Sequence, residues 1–363
     1  MSKHRSILTE DNYTNDEISI IKKCLEKKPQ EHKFSLLYND HVDELPYRQR
    51  LGQFKIPIHN GQRKLLLSSL LFLTQYSYLS TLVVYAGASP GTNIIILAKL
   101  YGNIRFHLYD PRPFDKRLIG LKNVKLYQSY FTDEIAKKYS KKNCMLWSDI
   151  RTGTVEDEDF EDQVIENNNM QKRWHDLVKP VMGMYKFRLP YVISDKSSEG
   201  FYYMKGDIWL QMWAPTTSTE TRLIVKRDYE MIQYNNESYE KRMYYFNTID
   251  RQWKTYHKNS KFDLMDVPCN CYDCTGEKEI LLSYLLLVGK HSKENLLKLS
   301  NCITSYLGSV KHLHHGYIDL PIWDKYVLTL KLFKEKVLKE RENKIKIRKI
   351  HYDSNATKLI KEH

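Results

Sequence analysis

Three stretches of this 363-residue chain hold residue types that can do chemistry. The first is "VVYAGASPGT" at 83–92, where β-formers stop at a turn holding Gly87 and Gly91 and a helix-like "NIIILAKL" follows. Strand, small-residue turn and helix form the first unit of a nucleotide-binding α/β fold, in which backbone N–H groups at the helix start face the ligand. "GASPGT" is neither G-x-G-x-x-G nor a Walker sequence, so dinucleotides and nucleoside triphosphates both lose support. Asp110 ends the next apolar run, "FHLYD", roughly twenty residues on, where a carboxylate can accept hydrogen bonds from both ribose hydroxyls. With no phosphate-binding lysine in the turn, S-adenosylmethionine fits better than NAD. The second stretch is "GQRKLLL", which sets Arg63 and Lys64 in the first turn of an expected helix. The helix dipole disfavours cations there, so the placement asks for a reason other than local stability. The third is "PCNCYDC", with Cys269, Cys271 and Cys274. Three thiolates could hold a structural zinc given a fourth ligand, from Cys302 or from His312–His315; otherwise they are reduced thiols in a loop.

The elements that must position these groups follow from periodicity. "HNGQRKLLLSSLLFLTQYSYL" predicts a helix with Asn60 near its N-cap, leading into a buried strand at Leu82–Tyr85. Further short apolar runs start at Ile104, Asn123 and Cys144, separated by turns or helical stretches. Strands alternating with helices predict an α/β fold: a doubly wound Rossmann-like, mostly parallel sheet with helices on both faces and ligands at the C-terminal strand ends. "MYKFRLPY" reads as a strand with Lys186 and Arg188 on one face, "DIWLQMWAP" and "ETRLIVKRDY" as two more. "EKEILLSYLLLVG" and "SKENLLKLSNCITSYLG" predict two helices, the second bounded by Ser292 and Gly308. Residues 1–40 read as a polar extension with one helix in "NDEISIIKKCLEKK", 41–325 as the main domain, and 326–363 as a basic C-terminal helix or tail.

Composition narrows the partner. A net charge of +13 beside 27 Tyr, 12 Phe and 6 Trp favours single-stranded nucleic acid, since cations attract the backbone and aromatic faces stack bases. The hydrophobic share of 42% suffices for a packed core. Six cysteines and no charged-then-apolar leader in "MSKHRSILTE" predict a reducing compartment without secretion. The longest apolar stretch, around 65–87, is interrupted by Gln75, hydroxyl residues and the glycine turn, and reads as helix and strand rather than a membrane span.

Taken in order, "GQRKLLLSSLLFL", "VVYAGASPGTNI", "YDPR", "WSDIRT", "MYKFRLPY", "APTTSTETRL" and "YEKRMYYFN" resemble the poxvirus-type cap-specific mRNA 2′-O-methyltransferases, which double as the small processivity subunit of poly(A) polymerase. The resemblance covers about residues 45–305 and points to a divergent relative from a large DNA virus. It implies an S-adenosylmethionine-dependent methyltransferase fold acting on capped single-stranded mRNA, with a poly(A) polymerase catalytic subunit as a further partner and the host cytoplasm or virion as location. A non-catalytic RNA-binding partner of the polymerase, and a methyltransferase of uncapped structural RNA, are the alternatives; a nicotinamide oxidoreductase is opposed by "GASPGT".

The resemblance also implies site residues. The catalytic tetrad would be Lys64, Asp149, Lys186 and Glu220, with no catalytic metal. Gln62, Tyr85, Gly87, Gly91, Asp110, Arg112, Phe131 and Arg151 would hold the methyl donor. Tyr47 and Tyr191 would sandwich the cationic base of the cap, with Glu240 accepting from its ring hydrogens. The family's second cap carboxylate has no clean match, Asp195 fitting only with a shift.

Overall fold

A computed structural model describes residues 13–36, 43–48, 61–153, 159–191, 200–215, 218–254, 256 and 271–307. The tail 326–363, Cys269, Asn60, Asp195, Gly308 and His312–His315 lie outside the described residues.

In chain order the elements are α1 (Asn15–Glu26), β1 (Ser35–Leu36), α2 (Gly61–Tyr76), β2 (Leu82–Ala86), α3 (Thr92–Leu100), β3 (Arg105–Tyr109), β4 (Val124–Tyr127), α4 (Asp133–Lys137), β5 (Met145–Ser148), α5 (Phe160–Val178) and β6 (Met182–Phe187). They continue with β7 (Phe201–Met204), β8 (Asp207–Trp209), β9 (Thr221–Lys226), β10 (Met231–Tyr234), α6 (Asn236–Tyr245), α7 (Arg251–Trp253), α8 (Tyr272–Leu287) and α9 (Lys293–Leu307). Eight strands form one sheet in the order β1-β8-β9-β6-β5-β2-β3-β4. The run from β6 to β4 is parallel, whereas β9, β8 and β1 are added antiparallel. β2 is apolar and fully buried along its length because both faces are covered, as the centre of a parallel sheet requires.

From β2 the chain moves outward through α3 to β3 and β4; from β5 it moves the opposite way through α5 to β6. Right-handed crossovers in opposite directions put α3 and α5 on opposite faces, so the sheet is doubly wound as expected. α2 and α9 pack with α3, α8 packs on α2 and α9, and α4 packs with α5. Strand order reverses between β2 and β5, and at such a switch point the C-terminal loops splay apart to leave a crevice.

One expectation needs correcting. Residues 13–36 are part of the folded body rather than a polar extension: α1 opens with a capping box between Thr14 and Glu17, buries Ile21 completely, and is followed by β1, which pairs with β8 and forms one edge of the sheet. Glu17 accepts from Tyr244 at 2.9 Å and pairs with Arg48, so α1 is also tied down by charge. The described residues belong to one compact unit, Thr9–Ser309.

Candidate active site

Two loops meet at the switch point. Asp149 N–H donates to the Ala86 carbonyl at 2.9 Å, carrying the β5 end across the β2 end. Gly87 has φ +76°, and a Cβ there would lie 2.8 Å from the Asp149 carbonyl carbon, so only glycine lets the two backbones pass. Its missing side chain thus makes room for the Asp149 loop. Gly91 (φ +73°) ends the turn, where a Cβ would press on Leu118 at 2.9 Å. Gln62 accepts from Asn93 N–H at 3.1 Å, satisfying a donor in the first turn of α3. Asp110 closes the turn from β3: its carboxylate accepts from Ser89 N–H at 3.0 Å and from the Arg112 guanidinium at 3.0 Å on each oxygen. Burial pushes the Asp110 carboxyl up, but Arg112 and the two backbone donors outweigh it and hold it below the usual range. Phe131 is buried in an aromatic group with Tyr109, Tyr139 and Trp174.

Beside this turn the four tetrad residues come together from four elements. Lys64 sits in the first turn of α2, as the sequence predicted, and its Nζ lies 2.5 Å from Glu220 Oε1. Lys186 Nζ is 3.2 Å from Glu220 Oε2 and 3.4 Å from Asp149 Oδ1, and so bridges the two carboxylates. A fifth charge was missed in the sequence. Arg222 is Lys186's cross-strand partner in the β6–β9 pair, and two cations opposed in a ladder repel. The arrangement stands because Arg222 Nη2 reaches Asp149 Oδ1 at 2.8 Å and Glu220 Oε1 at 3.3 Å, interleaving the charges. Its signal was the period of two: Glu220 and Arg222 share one face of the strand in "TETRL". Gln211, with its amide nitrogen turned toward Glu220, donates to Oε1 at 3.3 Å and accepts from Arg222 Nε at 2.9 Å.

The electrostatics follow from burial. Desolvation lowers the Lys64 ammonium's proton affinity, and Arg222 and Lys186 add to this against the pull of Glu220. Burial alone would raise both carboxyls. For Asp149 the charges of Arg222 and Lys186 prevail, and for Glu220 those of Lys186, Lys64 and Arg222, holding both ionised. Tyr85 stands behind Asp149 with its phenol driven far up by burial, which keeps it neutral. Arg151 reaches Glu220 Oε2 at 3.4 Å from the open side.

The other expected groups collect around α6. Residues 43–48 run along this helix: Leu45 N–H donates to the Lys241 carbonyl, Glu44 pairs with Arg242, and the half-exposed Tyr47 ring stands edge-on to Tyr244 at 5.6 Å. Glu240 is on α6, its carboxyl raised by burial and then by Glu161. The Arg188 guanidinium lies 4.3 Å over the Tyr191 ring, whose hydroxyl is 3.3 Å from Thr219. Glu161, near the start of α5, pairs with Arg188 at 2.7 Å and accepts from Tyr191 N–H at 2.7 Å. Glu161 is a second carboxylate at this place that the sequence reading did not name, since nothing in a polar helix start sets one acid apart. Of the cysteine cluster, Cys271 and Cys274 are described, and among the described residues no group of three His, Cys, Asp or Glu is arranged to hold a metal.

Comparison with known proteins identifies the family. Residues 30–273 match the family model described as "Poly A polymerase regulatory subunit". A Myxoma virus (strain Lausanne) protein named "Cap-specific mRNA (nucleoside-2'-O-)-methyltransferase" is 31% identical over 237 residues, covering 59% of this chain and 69% of that one. A Fowlpox virus (strain NVSL) protein of the same name is 30% identical over 234 residues, covering 59% and 75%. A solved structure titled "Structure of an Antibiotic Related Methyltransferase" shares 15% identity over 44% of this chain and 91% of that one, at a TM-score of 0.24 too low to carry weight. The chain belongs to the poly(A) polymerase regulatory subunit family.

Proposed function

We propose that this protein transfers a methyl group from S-adenosylmethionine to the ribose 2′-hydroxyl of the first transcribed nucleotide of 7-methylguanosine-capped mRNA. The observation that carries the reading is the interleaved cluster of Lys64, Asp149, Lys186, Glu220 and Arg222 beside a glycine turn at the sheet's switch point. The names of the poxvirus relatives support the same activity. The turn fits an adenosine ligand without phosphates: 87–92 holds no lysine or arginine, and Asp110 offers a buried carboxylate one strand over. Arg112, whose side chain is 68% exposed, can turn aside to free both Asp110 oxygens for ribose hydroxyls.

S-adenosylmethionine supplies an already activated sulfonium methyl, so no metal is needed and the protein's task is alignment and charge control. Lys186, held between two ionised carboxylates, acts as an ammonium that donates to the 2′-oxygen and stabilises it as its proton leaves to solvent. Asp149 fixes the direction of that ammonium from one side and Glu220 from the other. Lys64 and Arg222 keep Glu220 ionised. At the second site, the Tyr191 ring already receives one cation, Arg188, over its face; such a ring suits the cationic base of the cap, with Glu240 and Tyr47 nearby along α6.

The test is methyl transfer from labelled donor to matched capped and uncapped short RNAs. Transfer to the capped RNA, lost in Lys186→Ala, is expected. Equal transfer to both RNAs would replace cap specificity by action on uncapped RNA, and no transfer to either would sink the enzyme reading. The family description favours a second role, support of a poly(A) polymerase catalytic subunit. Lys186→Ala should leave that role intact, because it does not require the methyl-transfer charges.

A further inference from the structure

Helix α1 lies ahead of the stretch shared with the family, which begins at residue 30. It is nonetheless locked onto the body, with Ile21 fully buried, Tyr13 edge-on to Trp253 at 5.9 Å just before it, and β1 following on the sheet edge. Its most deeply buried charge is Glu17, at 3% exposure. A charge so placed must be paired and hydrogen-bonded, and the donors that meet it come mostly from outside α1. Oε2 accepts from the Thr14 N–H at 2.8 Å and pairs with Arg48 Nη2; Oε1 accepts from Arg48 Nε at 3.2 Å and from the Tyr244 hydroxyl at 2.9 Å. Burial pushes the carboxyl up, but Arg48, the Thr14 amide and Tyr244 outweigh it and hold it below the usual range.

Arg48 and Tyr244 flank the ring expected to receive the cap. Tyr47, adjoining Arg48 in the chain, is 54% exposed and stands edge-on to Tyr244 at 5.6 Å. Tyr244 in turn lies one turn of α6 beyond Glu240, and so on the same helix face. Residues 43–48 form no helix or strand and are held by individual ties. The Glu44–Arg242 pair and the Leu45 N–H bond to the Lys241 carbonyl hold the leading end on α6, and the Arg48–Glu17 pair holds the trailing end on α1. A ring on a segment fixed at both ends is already ordered when its ligand arrives, whereas a ring on a loosened segment binds only for the fraction of time that it is seated.

We propose that Glu17 is a positioning residue for cap recognition: by holding Arg48 and Tyr244 against α1 it presents Tyr47 to the methylated base, and so favours capped over uncapped 5′ ends. This rests on the reading of Tyr47 as a cap ring. The tie is separate from methyl transfer, whose charged groups are carried by α2, β6 and the ends of β5 and β9. Affinity for the cap should therefore respond to it and kcat should not.

The experiment compares equilibrium binding of capped and triphosphate-ended RNAs of equal length to the full chain, with kcat measured at saturating capped RNA. In Glu17→Gln the ratio of the two affinities should fall roughly tenfold, the scale of a charged hydrogen bond lost from such an equilibrium, with kcat retained. The substitution adds one positive charge, which alone would tighten both RNAs, so a loss confined to the capped RNA is not a charge effect. Arg48→Gln cuts the same tie from its more exposed end, should give the same fall, and decides alone should Glu17→Gln not fold; the double variant should lose no more than either single. Ile21→Val loosens the packing of α1 without touching the carboxylate and should keep the wild-type ratio, with circular dichroism checking the fold of every variant. A wild-type ratio in Glu17→Gln or Arg48→Gln, or a fall in Ile21→Val that matches theirs, would overturn the proposal. Tyr47→Ala separates its failure from that of the cap reading. If the ratio falls in Tyr47→Ala but not in Glu17→Gln, the ring reads the cap without help from α1; if Tyr47→Ala keeps the wild-type ratio, Tyr47 is not a cap ring and the proposal falls with it.

Discussion

Lys186 and Arg222 face one another across two strands, and their side chains stay together only because Asp149 and Glu220 sit between them. Removing the Lys186 ammonium should therefore lower kcat by roughly 10²–10⁴, with little change in RNA affinity. Lys186→Arg should restore little of it, because a planar guanidinium cannot occupy the point between two carboxylates in the same way. Single-turnover rates beside RNA binding isotherms check both; a fully active Lys186→Ala would remove the assigned role. A second residue carries a pH prediction. His107 on β3 is 8% exposed, bonded to the Tyr139 hydroxyl at 2.7 Å, and its pKa is lowered to about 4 by burial, with Lys125, Lys142 and Arg105 adding to it. Unfolded, it takes up a proton near pH 6.5. Stability is thus full above that pH, falls as pH drops toward 4, and the loss reaches at most about 3 kcal/mol. Urea midpoints measured between pH 7 and pH 4 should slope less steeply in His107→Gln; an unchanged slope would assign the acid sensitivity elsewhere. At this scale the sequence was readable unevenly. Lys64 announced itself as a cation at a helix start, whereas Lys186 looked like any polar residue on a half-exposed strand, and only the resemblance singled it out. Glu161 and Gln211 gave no signal, because only the fold brings Glu161 to Arg188 and Tyr191 and Gln211 to Glu220 and Arg222.

Among the elements, α2 depends on α8 for its position. Arg63, next to Lys64, is 1% exposed and pairs with Glu277 of α8, which also accepts from Trp213 Nε1 at 2.7 Å. A buried charge left alone is costly, so Arg63→Met or Glu277→Leu should each destabilise by about 3–5 kcal/mol. The double replacement should cost less than the two single losses added together, since neither charge is then left alone. Urea denaturation of the four proteins measures the coupling; strictly additive losses would mean that the pair does not hold α2 to α8. The puzzling "RK" of the sequence resolves here: one cation is buried against a partner helix and the other faces the tetrad. The central strands were legible because burial on both faces demands continuous apolar runs, as in "LVVYA" and "MLWS". α5 was not singled out, since "FEDQVIENNNMQKRWHDLV" is polar along most of its length and buries chiefly Trp174, Val178 and a few polar groups. The β7–β10 pair was missed because its short strands lie far apart in sequence and are joined only by tertiary contact.

For the molecule as a whole, a net charge of +13 and an aromatic-rich composition make separable demands on RNA binding. Phosphate contacts release counterions, so log K falls linearly with log salt at a slope of about −0.7 per neutralised phosphate on a single strand. Stacking of a base on a tyrosine adds roughly 1–3 kcal/mol and leaves that slope alone. Capped RNA and a triphosphate-ended RNA of equal length should therefore give two nearly parallel lines, the capped one higher. In Tyr191→Ala the capped line should drop toward the uncapped one with its slope preserved. The substitution also uncovers Arg188, which remains held by Glu161, so the local charge is conserved and any slope change would be informative. If Tyr191→Ala instead flattened the slope while the gap between the two RNAs stayed as it was, this ring would lie on the path of the backbone. The cap base would then be held elsewhere on the surface.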